Sequence, residues 1–210
     1  MRSRQTSCLV TALLAAFVAN PAAADPIAYA QIDASPTDTG LVLVGTLAPV
    51  VPAQPEALVT ASAVRWRTGE ALNAAYVPRW ELGSHDTGLI VGLGIGAGYW
   101  RSRDGAASDS ESALAVRGQI EWQGSLPGGR GYALLQASTF RSAGFALLQY
   151  SLHSAPLALE ASHYGEQGYD VSSLGVRYFV VSGTRWSLRV GASHSEGDTR
   201  PYVGIAYNGF

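Results

Sequence analysis

Four histidines, His85, His153, His163 and His194, are the side chains of this sequence that titrate nearest neutral pH. Each of them stands next to a serine, as in "LHSAP", "SHYGE" and "SHSEGD", which raises hydrolysis by a serine activated through a histidine. Neighbouring residues of an extended chain point to opposite faces, so His153 with Ser154, or His194 with Ser195, cannot form a nucleophile–base pair. His194 and Glu196 share a face but have no nucleophile to serve. No histidine pair shows ligand spacing outside these turns, so no metal is expected, and each histidine reads as a solvated turn residue. The run "GLGIGA" (92–97) raises phosphate binding by a glycine-rich loop. That chemistry needs a helix after the glycines, and "YWRSRDGAASDS" is a poor helix, so no nucleotide or other cofactor is expected.

A second set of residues points to anion recognition or to ion pairing. Arg65, Arg67, Arg79, Glu81, Arg117, Glu121, Glu160, Arg177 and Arg189 recur on one parity of their segments, in company with glycine, serine and alanine. All 14 basic residues of the chain are arginine, whose planar fork binds carboxylates bidentately.

The elements that carry these residues alternate with period two and show no helical period. Strands are predicted near 27–34, 40–48, 57–67, 71–82, 87–101, 112–123, 131–141, 144–153, 157–164, 169–181, 185–195 and 200–208, with ten as the alternative count to twelve. Pro78 removes a ladder donor from the fourth and predicts a bulge or irregularity there. In each strand one parity is aliphatic or aromatic and the other small, polar or charged. Leu114, Val116, Ile120 and Trp122 oppose Ala115, Arg117, Gln119 and Glu121; Leu188 and Val190 oppose Arg189 and Gly191.

Two architectures satisfy that pattern: a soluble β-sandwich or lipocalin-like binder with the apolar face inside, or a membrane barrel with the apolar face on lipid. The strands are about ten residues long, as a tilted membrane-spanning strand requires. Large aromatics sit at strand ends, among them Trp66, Trp80, Trp100, Trp122, Tyr164, Tyr169, Tyr178, Trp186 and Tyr207, as two interfacial girdles would place them. The expected fold is an all-β antiparallel up-and-down transmembrane barrel of 10–12 strands. Gly92, Gly94, Gly96 and Gly98 then face the lumen and make room for neighbouring side chains, while Leu93 and Ile95 face lipid. The first 24 residues, "MRSRQTSCLVTALLAAFVANPAAA", have the basic start, short apolar core and small-residue end of a secretory signal peptide, leaving one barrel domain over 25–210. The one cysteine, Cys8, falls inside that segment, so disulfides and thiolate sites are excluded from 25–210. With Arg2 and Arg4 removed, 12 basic residues face 16 acidic ones, which argues against nucleic acid as a partner.

On these features the chain resembles the small outer-membrane β-barrel proteins of Gram-negative bacteria. The resemblance covers the signal segment, the alternating strands, the aromatic strand ends and the terminal Phe210. Such barrels commonly end in an aromatic residue read by the barrel assembly machinery; here Asn208 and Ala206 share parity with Phe210, while Tyr207 and Ile205 are one step out. The closing stretch "RWSLRVGASHSEGDTRPYVGIAYNGF" is similar to the barrels of surface-polysaccharide secretion proteins. The resemblance implies a non-enzymatic barrel in the cell outer membrane, structural or a narrow conduit. Its implied partners are outer-membrane lipid, the assembly machinery, and polysaccharide or an envelope secretion complex. Two roles remain open for the inward charges: a plug of arginine–carboxylate pairs, or an arginine-rich pore wall favouring anions. A lipid-modifying barrel enzyme is the rival from another class; a polar notch on the lipid face beside a histidine would favour it. With termini in the periplasm and twelve strands, the connection 103–112 lies outside the cell.

Overall fold

Alternation of bulky and small residues on a chain without helical period has one closed solution, and the chain adopts it. The computed structural model describes residues 27–47, 55–83, 88–102, 109–180 and 185–208. The expected signal segment 1–24, His85 and the terminal Phe210 lie outside the described residues.

Twelve strands follow in order: β1 (Ile27–Ala34), β2 (Thr39–Leu47), β3 (Ala57–Trp66), β4 (Gly69–Leu82), β5 (Leu89–Ser102), β6 (Ser110–Leu126), β7 (Gly129–Ser138), β8 (Gly144–Leu152), β9 (Leu157–Glu166), β10 (Tyr169–Phe179), β11 (Trp186–Ser195) and β12 (Asp198–Asn208). Each pairs antiparallel with its sequence neighbours, and β1 pairs with β12 to close the ring, with Ile32 opposite Ile205 and Asp33 opposite Gly204. Closure removes both sheet edges, which excludes an open sandwich. Ten strands is excluded with it. Because twelve is even, β1 begins and β12 ends at the same end of the barrel, here the terminus end; the opposite end is the far end.

Residues directly opposite across a ladder share a face, so the register carries the face assignment around the ring. Leu93 and Ile95 are 60% and 68% exposed, as are Leu174 at 69% and Val203 at 63%, while Arg177 and Glu160 are 1% and 4% exposed. The apolar parity is therefore outside and the polar parity inside, the inverse of a soluble protein. A closed barrel with this exterior is built to cross a membrane, because closure leaves no edge strand whose backbone would face lipid unpaired. It is a transmembrane β-barrel of the outer-membrane type. This also sets aside the lipocalin-like alternative, whose apolar parity would be inside.

At Pro78 the expected irregularity takes the form of a gap, not a bulge: β4 pairs Tyr76 with Ile95 and Arg79 with Gly92, skipping Val77 and Pro78, with the same register on both sides. Two other local expectations need correction. β7 ends at Ser138, and Phe140–Ser142 form a short 3-10 turn instead of continuing the strand. The connection expected over 103–112 is shorter, because β6 begins at Ser110. Nor do loop lengths separate the two ends. The far end has the two-residue connections 67–68, 167–168 and 196–197, while the longest, 48–56, is at the terminus end.

Candidate functional site: a filled lumen

The lumen is lined by the inward parity of the strands, and its side chains meet in three groups.

The first group spans β9 to β1. Arg177 and Arg189 are direct cross-strand partners, an arrangement of like charges that would repel if left alone. Glu160 bridges them: its Oε2 is 2.5 Å from Arg177 Nη2, and its Oε1 accepts from Arg189 Nη2 at 2.6 Å and from Arg189 Nε at 2.9 Å. Arg189 also pairs with Asp33, and Arg177 donates to the Tyr29 hydroxyl at 2.9 Å. Both guanidinium groups lie over tyrosine rings, Arg177 over Tyr29 and Arg189 over Tyr202. Bare positions admit this cluster. A Cβ on Gly175 would lie 2.1 Å from the Tyr202 hydroxyl, and one on Gly204 would lie 2.0 Å from Asp33 Oδ1.

The second group lies on β3 to β7. Arg79 pairs with Glu56 at 2.9 Å and with Glu121 at 3.4 Å. Glu121 also accepts from Gln119 at 2.7 Å and from the Tyr132 hydroxyl at 3.0 Å, and Gln136 donates to Gln119 at 3.1 Å. Arg117 on β6 reaches past two strands to the Thr60 hydroxyl on β3, at 3.1 Å. Buried charge in such an interior must be paired or hydrogen-bonded. These contacts pair or hydrogen-bond each charge, while the single atoms Asp33 Oδ1, Arg79 Nε, Glu160 Oε2 and Arg177 Nε and Nη1 make no hydrogen bond among the described residues.

The third group closes the far mouth, and it is aromatic. Trp66 on β3 and Tyr169 on β10 are five places apart around the ring and stack with centroids 4.6 Å apart. Tyr164 tilts against Tyr169 at 6.3 Å, and Val64, Ala71, Trp100 and Val171 pack around the pair. The connection 139–143 folds inward beside them: Phe140 is buried and fills the space left by Gly98, where a Cβ would come within 2.2 Å of its ring.

The expected lumen residues can now be placed. Arg79, Arg117, Glu121, Glu160, Arg177 and Arg189 lie in the networks above. Glu81 is on the inward parity at the exposed terminus-end rim. Arg65 is a correction: its register partners are Thr39 and Glu70, Val64 and Trp66 take the inward positions beside it, and Arg65 is exposed on the outer face at the far rim. Arg67 is exposed in the turn that follows. A charge at a rim meets water or headgroups on either face, so its parity carries no information there.

The glycine run faces inward, for a reason different from room for charge at two of its positions. A Cβ on Gly94 would lie 2.0 Å from the Tyr76 carbonyl oxygen and one on Gly96 2.7 Å from that of Ala74, so there the backbone of β4 comes too close for a side chain. Only Gly92 is crowded by side chains of the polar network, with Gln119 at 2.8 Å.

The two expected girdles reduce to one. Trp80, Trp122, Tyr150, Tyr178, Trp186 and Tyr207 are outward and all lie at the terminus end; Trp186 and Tyr207 pack edge to face at 5.2 Å. Of the far-end aromatics, Trp66, Trp100, Tyr164 and Tyr169 face the lumen instead, and Tyr99 faces outward. On the outer face at that end His163, Ser172, His194 and Thr199 form a cross-strand row, with His163 Nδ1 2.9 Å from Ser172 Oγ and His194 Nδ1 2.9 Å from Thr199 Oγ1. These histidines are strand residues, not turn residues. No cluster of three metal-ligating side chains occurs among the described residues.

No protein-family model matches the chain, and no curated protein matches it in sequence. Among solved structures, the KdgM porin superposes with a TM-score of 0.49 at 10% identity, over 88% of this chain and 99% of its own. The outer membrane protein Omp33 of Acinetobacter baumannii gives 0.48 at 10% identity, over 87% and 96% of the two chains. The β domain of the Bordetella autotransporter BrkA gives 0.40 at 13% identity, over 85% and 97%. The fold assignment here rests on the strand ladder of the chain itself.

Proposed function

We propose that this barrel is a non-enzymatic outer-membrane component whose lumen is closed at rest by its own side chains, acting as a structural part or gated narrow conduit beside envelope polysaccharide secretion. The observation that carries the closed state is the Glu160 bridge between Arg177 and Arg189. The reading is supported further by the Glu121 network and by the stacking of Trp66 on Tyr169 from strands five places apart around the ring. The polysaccharide role draws on the similarity of residues 185–210 to secretion-protein barrels and on lumen chemistry, tyrosine faces beside arginine–carboxylate pairs, that suits sugar hydroxyls and uronate carboxylates. Export through removal of residues 1–24, and assembly through Phe210, belong to the same reading.

The exposed His163–Ser172 pair is the observation that favours the rival enzymatic reading. A serine hydrolase needs a third group to orient the base and donors for an oxyanion. Among the described residues no hydrogen bond to His163 besides that of Ser172 is seen, so the pair reads as a polar contact at the membrane boundary.

Deletion of the gene tests the role. The expected result is reduced surface or secreted polysaccharide with unchanged permeability of the outer membrane to small hydrophilic solutes. Unchanged polysaccharide with lowered solute uptake would instead identify a diffusion channel.

A further inference from the structure

The segment 139–143 at the far mouth is held by its own arginine in the manner of a bound ligand. The Arg141 guanidinium lies over the Trp100 ring, 3.8 Å from its centroid. Its Nη1 donates to Glu111 Oε2 at 3.0 Å, its Nε is 4.0 Å from Glu166 Oε1, and its Nη2 donates to the Gln167 carbonyl oxygen. The Gln167 amide in turn donates to the Arg141 carbonyl oxygen at 3.0 Å. An aromatic face, two carboxylates and a carbonyl make a receptor for a planar organic cation.

Two features mark the occupant as displaceable. Arg141 and Ser142 both have left-handed backbone, φ 52° and 50°, without being glycine, so the contacts hold the segment in a conformation it would otherwise leave. The polar fit is also incomplete: Trp100 Nε1, Arg141 Nε and Glu166 Oε1 are buried without a hydrogen-bond partner, and each regains one from water or ligand when the segment lifts. The charge pairs deeper in the barrel also leave buried atoms unpaired, Arg177 Nε and Nη1 among them, but they join residues fixed in strands and cannot lift away as 139–143 can.

We propose that Trp100, Glu111, Glu166 and the Gln167 carbonyl form a binding site for a small organic cation bearing a guanidinium or primary amine. Arg141 is its tethered occupant, and a free cation that replaces Arg141 releases 139–143 from the mouth. The site stands on the far-mouth geometry and is independent of what, if anything, crosses the lumen. Tethering gives Arg141 an effective concentration on the order of millimolar or more, so a free cation must exceed that to compete in the native chain. In a chain without the Arg141 side chain it meets no competitor.

The test uses the full chain folded in detergent with Cys8, its one cysteine, replaced by serine, and Ala115, which lines the gap beside Phe140, replaced by cysteine. The readout is the rate of labelling by a bulky charged thiol reagent. Arg141→Ala should raise that rate at least tenfold. Millimolar guanidinium should return it to the parent rate, and sodium at equal ionic strength should not. Adding Trp100→Ala should abolish the rescue. In the parent, guanidinium well above that concentration should speed labelling. An unchanged rate in Arg141→Ala would show that 139–143 is no stopper; a raised rate without guanidinium rescue would show that the site does not hold a cation. Should Arg141→Ala fail to fold, judged by the gel shift between boiled and unboiled samples, the parent titration and Arg141→Lys carry the test. Arg141→Lys is expected to label slowly and to open at lower guanidinium than the parent; a parent indifferent to guanidinium, with Arg141→Lys equally indifferent, overturns the proposal.

Discussion

Glu160→Leu is expected to destabilise the folded barrel by about 3–5 kcal/mol, the range for removing one partner of a buried ion pair. Glu160 is the carboxylate shared by Arg177 and Arg189, which face each other across the β10–β11 ladder. Without it two buried guanidinium groups repel at close range, with Asp33 the remaining carboxylate of the cluster. Glu160→Gln keeps the shape and one acceptor and should cost less. The combined change Glu160→Leu with Arg177→Met removes one charge of each sign and should recover part of the loss, a non-additivity expected of residues in one network. Unfolding by denaturant in detergent micelles, followed by the boiled–unboiled gel shift, measures all three. A Glu160→Leu loss below about 1 kcal/mol would mean that water, and not the pair, neutralises the arginines.

Leu93→Arg is expected to destabilise the protein in bilayers by roughly 2–4 kcal/mol if it lies near the midplane, the cost of a cation on the lipid face. Leu93 is 60% exposed on the outer wall. Its neighbour Gly94 fails by another route: any Cβ there collides with the β4 backbone, so even Gly94→Ala should impair assembly, in micelles and bilayers alike. The contrast separates the two faces of one strand, since the Leu93 effect depends on the surrounding lipid and the Gly94 effect does not. A Leu93→Arg protein as stable in bilayers as the parent would invert the face assignment.

Strand identity and, in most strands, the choice of face were legible because the lumen contents are chemically unlike the exterior. In the middle of β6, β10 and β11 one parity holds only arginine, glutamate, glutamine, serine, glycine or alanine. β3 was misread because that contrast is missing: Val59, Ala61 and Ala63 outside differ little from Leu58, Thr60 and Val64 inside, which left Arg65 at the rim to decide the matter. The far-end aromatics failed for a related reason. A tryptophan at a strand end looks the same in sequence whether it faces headgroups or turns into the mouth, and only the stacking of Trp66 on Tyr169 across the ring distinguishes them. The left-handed turn at 139–143 was invisible for a third reason. "TFRSA" lacks the glycine or asparagine that usually marks left-handed backbone, and Arg141 adopts it because of contacts to Trp100, Glu111 and Gln167 that are remote in sequence.

The central claim, a barrel closed by its own side chains, is tested most directly by single-channel recording of the refolded native protein in planar bilayers. The account predicts no steady conductance. Arg177→Ala with Arg189→Ala, combined with Trp66→Ala to open the aromatic mouth, should admit small ion currents. A large, steady conductance of the native protein would contradict it, and cation selectivity in that conductance would further require that the arginines of the lumen face away from the permeating path.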